Sequence, residues 1–478
     1  MDTKPSIVDL GRRAAVGGLA AAGVGFALFG PRTGRDGQGQ RNAGGGGGGR
    51  VVLNYWEKWT RHEGAAMQRV VDAFNASQQR IFVRYLVTAD IGQKSLVAIA
   101  GGDPPDVIGL YSFNVPGYAD AGALLPLDEL APKFGLNLSD YATGVRRVTS
   151  HRGQWWAAVS AAGSIALYYN RRAFAEAGLD PDRPPATIAE LDAASAKLLR
   201  TSADGGRLER VGFFHPEPGW WSWLWAYHFG GRIYDPAGDR ALADSAENVR
   251  AMEWMAETAR VLRPERSKPF REGFGNYFTD ANPFLTGKVA MIVQGPWLAN
   301  LVGAFAPQFD YGVAPFAVGP GVAADPANPI GLIDTDVLVI PRGCRYPEAS
   351  MEFIAFTQRQ EMAELLAAAH CKPSPLAKVS EGFVAGHPNR GIGVHYGIFG
   401  SSRAFVPPQT RVWQQYKDDF DTTVQRVWRL EETPAAAMAG LQTRAQGYLD
   451  RAADEARRRG RGGAVGGVVG GAVGGGRV

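Results

Sequence analysis

Hydrophobic and polar positions alternate along this chain in blocks of two periods. Val51 to Trp56 is a strand-like run, after which Met67, Val70, Val71 and Phe74 recur at the spacing of one helix face. Ile81 to Val87 predicts a second strand and Gln93 to Ala100 a second helix, and Gly101-Gly102-Asp103-Pro104-Pro105 breaks the chain before a strand at Val107 to Leu110. Blocks of this kind argue for α/β layers around a mostly parallel sheet. The pattern continues with a strand at Ile165 to Tyr169, a helix at Arg171 to Ala177, and Thr187 as N-cap of a helix Ile188 to Leu199 with Glu190 in its first turn. Further on, the spacing predicts a helix at Ala246 to Arg260, strands at Val289 to Val293 and Asp336 to Ile340, and a helical stretch Pro347 to Ala369 broken near Thr357 to Gln360. Helices over Gln414 to Leu430 and Pro434 to Arg457 close the body, and no repeat of fixed period is present.

At 478 residues the chain is long enough for two large lobes or about three average domains. Its formal charge of +4 misleads, because both ends are basic and the body between Val51 and Asp450 carries 38 basic against 42 acidic residues. A mildly acidic body excludes a nucleic-acid binder, which would carry a basic face for phosphates. The charge balance points instead to a neutral ligand.

Residues 1–50 read as an export signal and a glycine-rich tether. Arg12-Arg13 precedes an uncharged stretch from Ala14 to Phe29, which has the length of a signal core and is short for a membrane span. The paired arginines suggest the twin-arginine route, with a Sec-type signal or an uncleaved anchor as alternatives. Residues 459–478 read as a glycine-rich disordered tail. The two cysteines, Cys344 and Cys371, lie far from the signal, so a lipoprotein cysteine is absent. A disulfide between them is open to an exported protein, although the intervening helical stretch argues for separation.

The order of several motifs resembles the extracellular solute-binding proteins of ABC importers, in the group that binds sugars. The motifs are Trp56 and Trp59 with Glu63, Phe74-Asn75, Ala98-Ile99-Ala100-Gly101-Gly102-Asp103-Pro104-Pro105-Asp106-Val107, and Tyr118-Ala119-Asp120-Ala121-Gly122-Ala123-Leu124 with Leu127-Asp128. Tyr168-Tyr169-Asn170, Ala177-Gly178-Leu179, Pro185-Ala186-Thr187, Gly230-Gly231, Gly287-Lys288-Val289-Ala290-Met291, Gly295-Pro296-Trp297 and Glu348-Ala349 follow. The sequence departs from the pattern at Pro329 to Asp334, where many relatives show a Gly-Gly-Trp-like sugar contact. The resemblance implies a two-lobed periplasmic-binding-protein fold of type II, α/β in class, with the ligand cleft between lobes that close by hinge motion. Lobe 1 would be 51–162 plus 332–378, and lobe 2 163–331 plus 379–458. It also implies a monomer that passes a small-molecule sugar to the membrane subunits of an ABC permease, with no cofactor.

A sugar presents faces of C–H groups and an equator of hydroxyls, so its site needs aromatic plates and planar polar side chains. Trp56 and Trp59 stand beyond the first strand, and Trp297 follows Gly295-Pro296 at a strand end, where open α/β sheets present ligand contacts. Trp220, Trp221, Trp223 and Trp225 crowd six residues. On one helix they would occupy two faces, so that Trp220, Trp221 and Trp225 are expected in the cleft and Trp223 in the core. Arg61, Glu63, Tyr111, Asn114 and Asp334 are the expected polar contacts, with His370 and Lys372 near the hinge. Asp106 reads as a structural cap. No H-E-x-x-H, G-x-S-x-G or P-loop pattern occurs. The enzyme alternative is a secreted glycoside hydrolase using Asp334 and Asp336, which would share a strand face at about 7 Å. A receptor for a glycerol phosphodiester or polyamine is the other, with Arg61 the residue to meet a phosphate.

Overall fold

The computed structural model describes residues 49–465; the expected signal, its tether and the end of the glycine-rich tail lie outside the described residues. The body opens with β1 (Val51–Glu57), α1 (Arg61–Ser77), β2 (Ile81–Val87), α2 (Ile91–Ala100) and β3 (Val107–Tyr111). Next come β4 (Ala158–Ser164), β5 (Ala166–Asn170), α3 (Ile188–Leu198), β6 (Leu208–Phe213), α4 (Ala246–Leu262), β7 (Val289–Gln294), α5 (Leu298–Phe305), β8 (Tyr311–Ala314) and β9 (Gly331–Val339). It ends with α6 (Pro347–Thr357), α7 (Gln360–Ala369), β10 (Ala404–Phe405), α8 (Trp413–Trp428) and α9 (Pro434–Val465). Arg50, read as tether, is anchored: its guanidinium donates to Asn75 O at 2.7 Å. The last helix also runs past Arg457 into the glycine-rich segment.

Two large sheets organise the chain. The first runs β10-β9-β3-β1-β2, with β4 also paired to β9; the second runs β8-β5-β7-β6 and ends on the short strand Arg200–Thr201. The expected parallel character holds for β1 with β2 and β3, but β9 runs antiparallel to both β3 and β4, and β5 runs antiparallel to β7 and β8. The reversal follows from chain path, since β4 and β9 are the strands that pass between the sheets. There the Ile165 N–H donates to Leu332 O at 2.9 Å, tying the two crossings together.

Packing follows the predicted periods. Met67, Val70, Val71 and Phe74 of α1 are buried against Leu53 and Tyr55 of β1. The Thr187 hydroxyl accepts from Glu190 N at 3.3 Å while Glu190 Oε2 accepts from Thr187 N at 3.1 Å, the reciprocal cap foreseen for α3. Asp106 is structural as expected, with Oδ2 accepting from Asn54 N at 2.8 Å. The cysteines are both free; Cys371 Sγ contacts Asn300 Oδ1 at 2.8 Å and Cys344 faces Asp106. No helix of the described residues is long and apolar enough to cross a membrane.

Candidate functional site

At the C-terminal end of β1 the chain turns outward through Lys58, Trp59 and Thr60 into α1, and these residues border a cavity of about 740 Å³. Tyr111 at the end of β3, Asp334 and Asp336 on β9, Trp297 after β7, and Lys372 after α7 complete its base. Trp220, Trp221, Phe278 and Phe305 line the cavity as well. Residues far apart in sequence meet here because parallel β1 and β3 deliver their ends to one edge of the sheet, where antiparallel β9 sets Asp336 opposite Tyr111.

The base is a chain of alternating charges. Glu57, wholly buried, accepts from the Tyr55 hydroxyl at 2.6 Å and lies 3.1 Å from Lys58 Nζ. Lys58 Nζ reaches Asp336 Oδ1 at 3.0 Å, Asp336 Oδ2 meets Lys372 Nζ at 3.1 Å, and Lys372 Nζ meets Glu63 Oε1 at 3.3 Å. Burial by itself would raise the Asp336 carboxyl, but the two ammoniums overcome it and hold it down at about 2. Burial would likewise lower both lysines, yet the carboxylates beside them keep each above its ordinary value. Asp334 has no ion pair of its own, and the more distant Lys372 and Lys58 and the Trp221 indole only partly offset its burial. Burial, and then the negative Asp336 two residues on, push its carboxyl up to about 6, and Oδ1 has no hydrogen-bond partner.

The aromatic residues divide into supports and walls. Trp59 is only 5 % exposed, with Lys58 Nζ 5.1 Å and Lys372 Nζ 5.6 Å from its ring and His370 edge-on behind it at 4.6 Å. Trp221 and Trp297 face each other at 5.9 Å, and Trp220 stacks on Phe278 at 5.9 Å. Trp297 is folded over its own loop: a Cβ added at Gly295 would fall 2.1 Å from Cζ3 of the indole. Gly295→Ala is therefore expected to swing this ring from its seat, altering the near-ultraviolet circular dichroism while the far-ultraviolet spectrum stays that of the native fold.

Of the residues expected from sequence, Trp59, Arg61, Glu63, Tyr111, Trp220, Trp221, Trp297 and Asp334 come together around the cavity. Four do not. Trp56 points to the face of β1 opposite Tyr55, as strand alternation requires, and packs half-buried against the core. Asn114, in a turn of 3₁₀-helix after β3, lies beside Gly92 of α2. Trp225 is core, packed on Phe213, Phe316 and Trp254. His370 is fully buried, its Nε2 3.1 Å from Glu63 O, and acts only by backing Trp59. The tryptophan cluster is also not one helix. Trp220 and Trp221 lie in a loop, Ser222–Leu224 form a 3₁₀ turn, and Trp225–His228 a single helical turn. The sequence reading missed Lys58, Phe278, Asn276 and Asn300 entirely and placed Lys372 only near a hinge; two lysines separated by more than three hundred residues gave no local signal. Among the described residues no cluster of His, Cys, Asp and Glu suited to a metal is present.

Comparison with known proteins agrees with this architecture. The chain is 24 % identical over 267 residues to the maltotriose-binding protein of Pyrococcus abyssi, 56 % of this chain and 53 % of that relative. It is 24 % identical over 196 residues to the sn-glycerol-3-phosphate-binding periplasmic protein UgpB of Yersinia pestis, 39 % of this chain and 42 % of the relative. The chain thus spans about half the length of the curated relatives it matches. Among solved structures, CpMnBP1 with mannobiose bound superposes with a TM-score of 0.72 at 23 % identity, covering 83 % of this chain and all of that one. It shares the two-lobed fold. The model of the bacterial extracellular solute-binding protein family matches residues 58–364, and the chain belongs to that family.

Proposed function

We propose that this protein is the substrate-binding component of an ABC importer, holding a sugar or short oligosaccharide in the cavity and delivering it to membrane permease subunits. The observation that carries the reading is a cavity of about 740 Å³ walled by indoles and phenyl rings whose two buried ammoniums are already paired with carboxylates. Such a site offers stacking and hydrogen bonding but no free buried cation for a phosphate. Arg61 is exposed, and among the described residues its one side-chain hydrogen bond is to Phe278 O at 3.5 Å. Among the relatives, one is named for maltotriose and a solved neighbour holds mannobiose, which favours this reading, whereas another is named for sn-glycerol-3-phosphate. We also read residues 1–50 as the export signal that an extracellular receptor requires, by the twin-arginine route.

Binding without hydrolysis fits the geometry better than a glycosidase. Both oxygens of Asp336 are engaged by lysines, leaving no lone carboxylate oxygen to attack a sugar, and Asp334 stands beside it on the same strand rather than across a bond. The test is a thermal-shift and calorimetric screen of malto-, manno- and other oligosaccharides with glycerol phosphodiesters alongside. A ligand at 100 times its Kd should stabilise by about 2.7 kcal/mol. Failure of every saccharide to bind, or release of reducing ends, would overturn the reading. Trp221→Ala and Trp297→Ala should each weaken saccharide binding by about 2 kcal/mol, roughly thirtyfold, through lost apolar burial and stacking.

A further inference from the structure

Counting charge at the base of the cavity exposes a deficit. Four carboxylates, Glu57, Glu63, Asp334 and Asp336, face two buried ammoniums, Lys58 and Lys372, and the exposed Arg61 that also lines the cavity brings the cations only to three. Every lysine ion pair goes to Glu57, Asp336 or Glu63, and Asp334 receives none. Yet Asp334 lines the cavity, held on β9 between Gly163 of β4 and the indole of Trp221, with one oxygen buried and unpartnered. An unmatched buried carboxylate is costly, and proteins retain one chiefly where something else completes it. The surrounding wall suits a cation, because Trp220, Trp221 and Trp297 line the same space and the site already holds Lys372 Nζ 5.4 Å from the Trp297 ring.

We infer that the preferred ligand is a saccharide carrying a protonated amine, whose ammonium completes Asp334 while its rings lie against the indoles. This inference rests on the saccharide reading above and departs from the neutral ligand that the net charge suggested. The groups that set the charge state of Asp334 are Asp336 on its own strand, Lys372 after α7, the Trp221 indole that hydrogen-bonds it, Lys58 at the end of β1 and the Tyr111 hydroxyl at the end of β3. The Asp334 carboxyl is lifted to about 6, so amine binding should weaken as the pH falls through that value.

The experiment is calorimetry on the purified protein with glucosamine di- and trisaccharides, their N-acetylated counterparts, neutral malto- and manno-oligosaccharides of equal length, and spermidine as an amine without a sugar. Glucosamine oligomers should bind about tenfold tighter than the neutral forms at pH 7, as expected for one charge-assisted hydrogen bond. That preference should fall severalfold at pH 5 and shrink toward unity in Asp334→Asn, a variant expected to be more stable than the native protein. Equal or tighter binding of the neutral oligosaccharides overturns the inference and leaves the saccharide reading standing. Binding of spermidine with no saccharide bound at all overturns both.

Discussion

Asp336→Ala is expected to lower the free energy of unfolding by about 3–5 kcal/mol, among the largest effects any single substitution in this body should produce. The carboxylate is the shared acceptor of Lys58 at 3.0 Å and Lys372 at 3.1 Å, and both ammoniums are nearly shut off from water. Removing it leaves two buried positive charges facing each other with only Glu57 and Glu63 at the outer ends of the chain. The pH dependence identifies the cause. Asp336 has a carboxyl held down at about 2, so its contribution is present above the unfolded value near 4 and is lost as pH falls through about 2. The penalty of the substitution should therefore be full at pH 7 and shrink below pH 4. Denaturant melts of native and variant protein at both pH values check this, and a penalty independent of pH would assign the loss to packing instead.

Two residues earlier the sign reverses. Asp334→Asn should stabilise the ligand-free protein by up to about 3 kcal/mol at pH 7–8, since burial and Asp336 lift its carboxyl from 3.8 to about 6. A raised acid binds its proton more tightly when folded, so ionisation costs nothing below pH 4, costs progressively more between 4 and 6, and costs its full amount above 6. The amide removes that cost. The gain should appear as a higher melting temperature at pH 8 that fades toward pH 4, and an unchanged melting temperature at pH 8 would show that Asp334 finds a counter-charge in the free protein. Stability gained by blunting a binding residue is the usual trade between fold and function.

Much of this molecule was legible in one sequence. Helix α1 announced itself through Met67, Val70, Val71 and Phe74, and the break between α6 and α7 fell where Thr357 to Gln360 interrupts the apolar face. Strand β4 was not foreseen, because Ala158 to Ser164 is buried at every position and made of small residues, which leaves no alternation to read. In the site, Trp297 was found through its Gly-Pro loop, and the clustered tryptophans were found but assigned to the wrong element, since Trp220 and Trp221 lie in a loop and the α-helix begins only at Trp225. The ion chain was invisible for a different reason. Lys58, Asp336 and Lys372 acquire their roles only by meeting in space, and each alone resembles a solvated charge.

The tie between Ile165 and Leu332 gives the cavity an unusual mechanical position. Asp334 lies two residues from that tie on the strand that carries it, whereas Phe278 and Phe305 line the same cavity from other segments of the chain. A swing of one sheet against the other about that tie would move Asp334 little and lining residues remote from the tie much more. Recognition at this carboxylate and leverage at the mouth are then read by different instruments: a proton count at the fulcrum, and a distance probe placed beside Phe278.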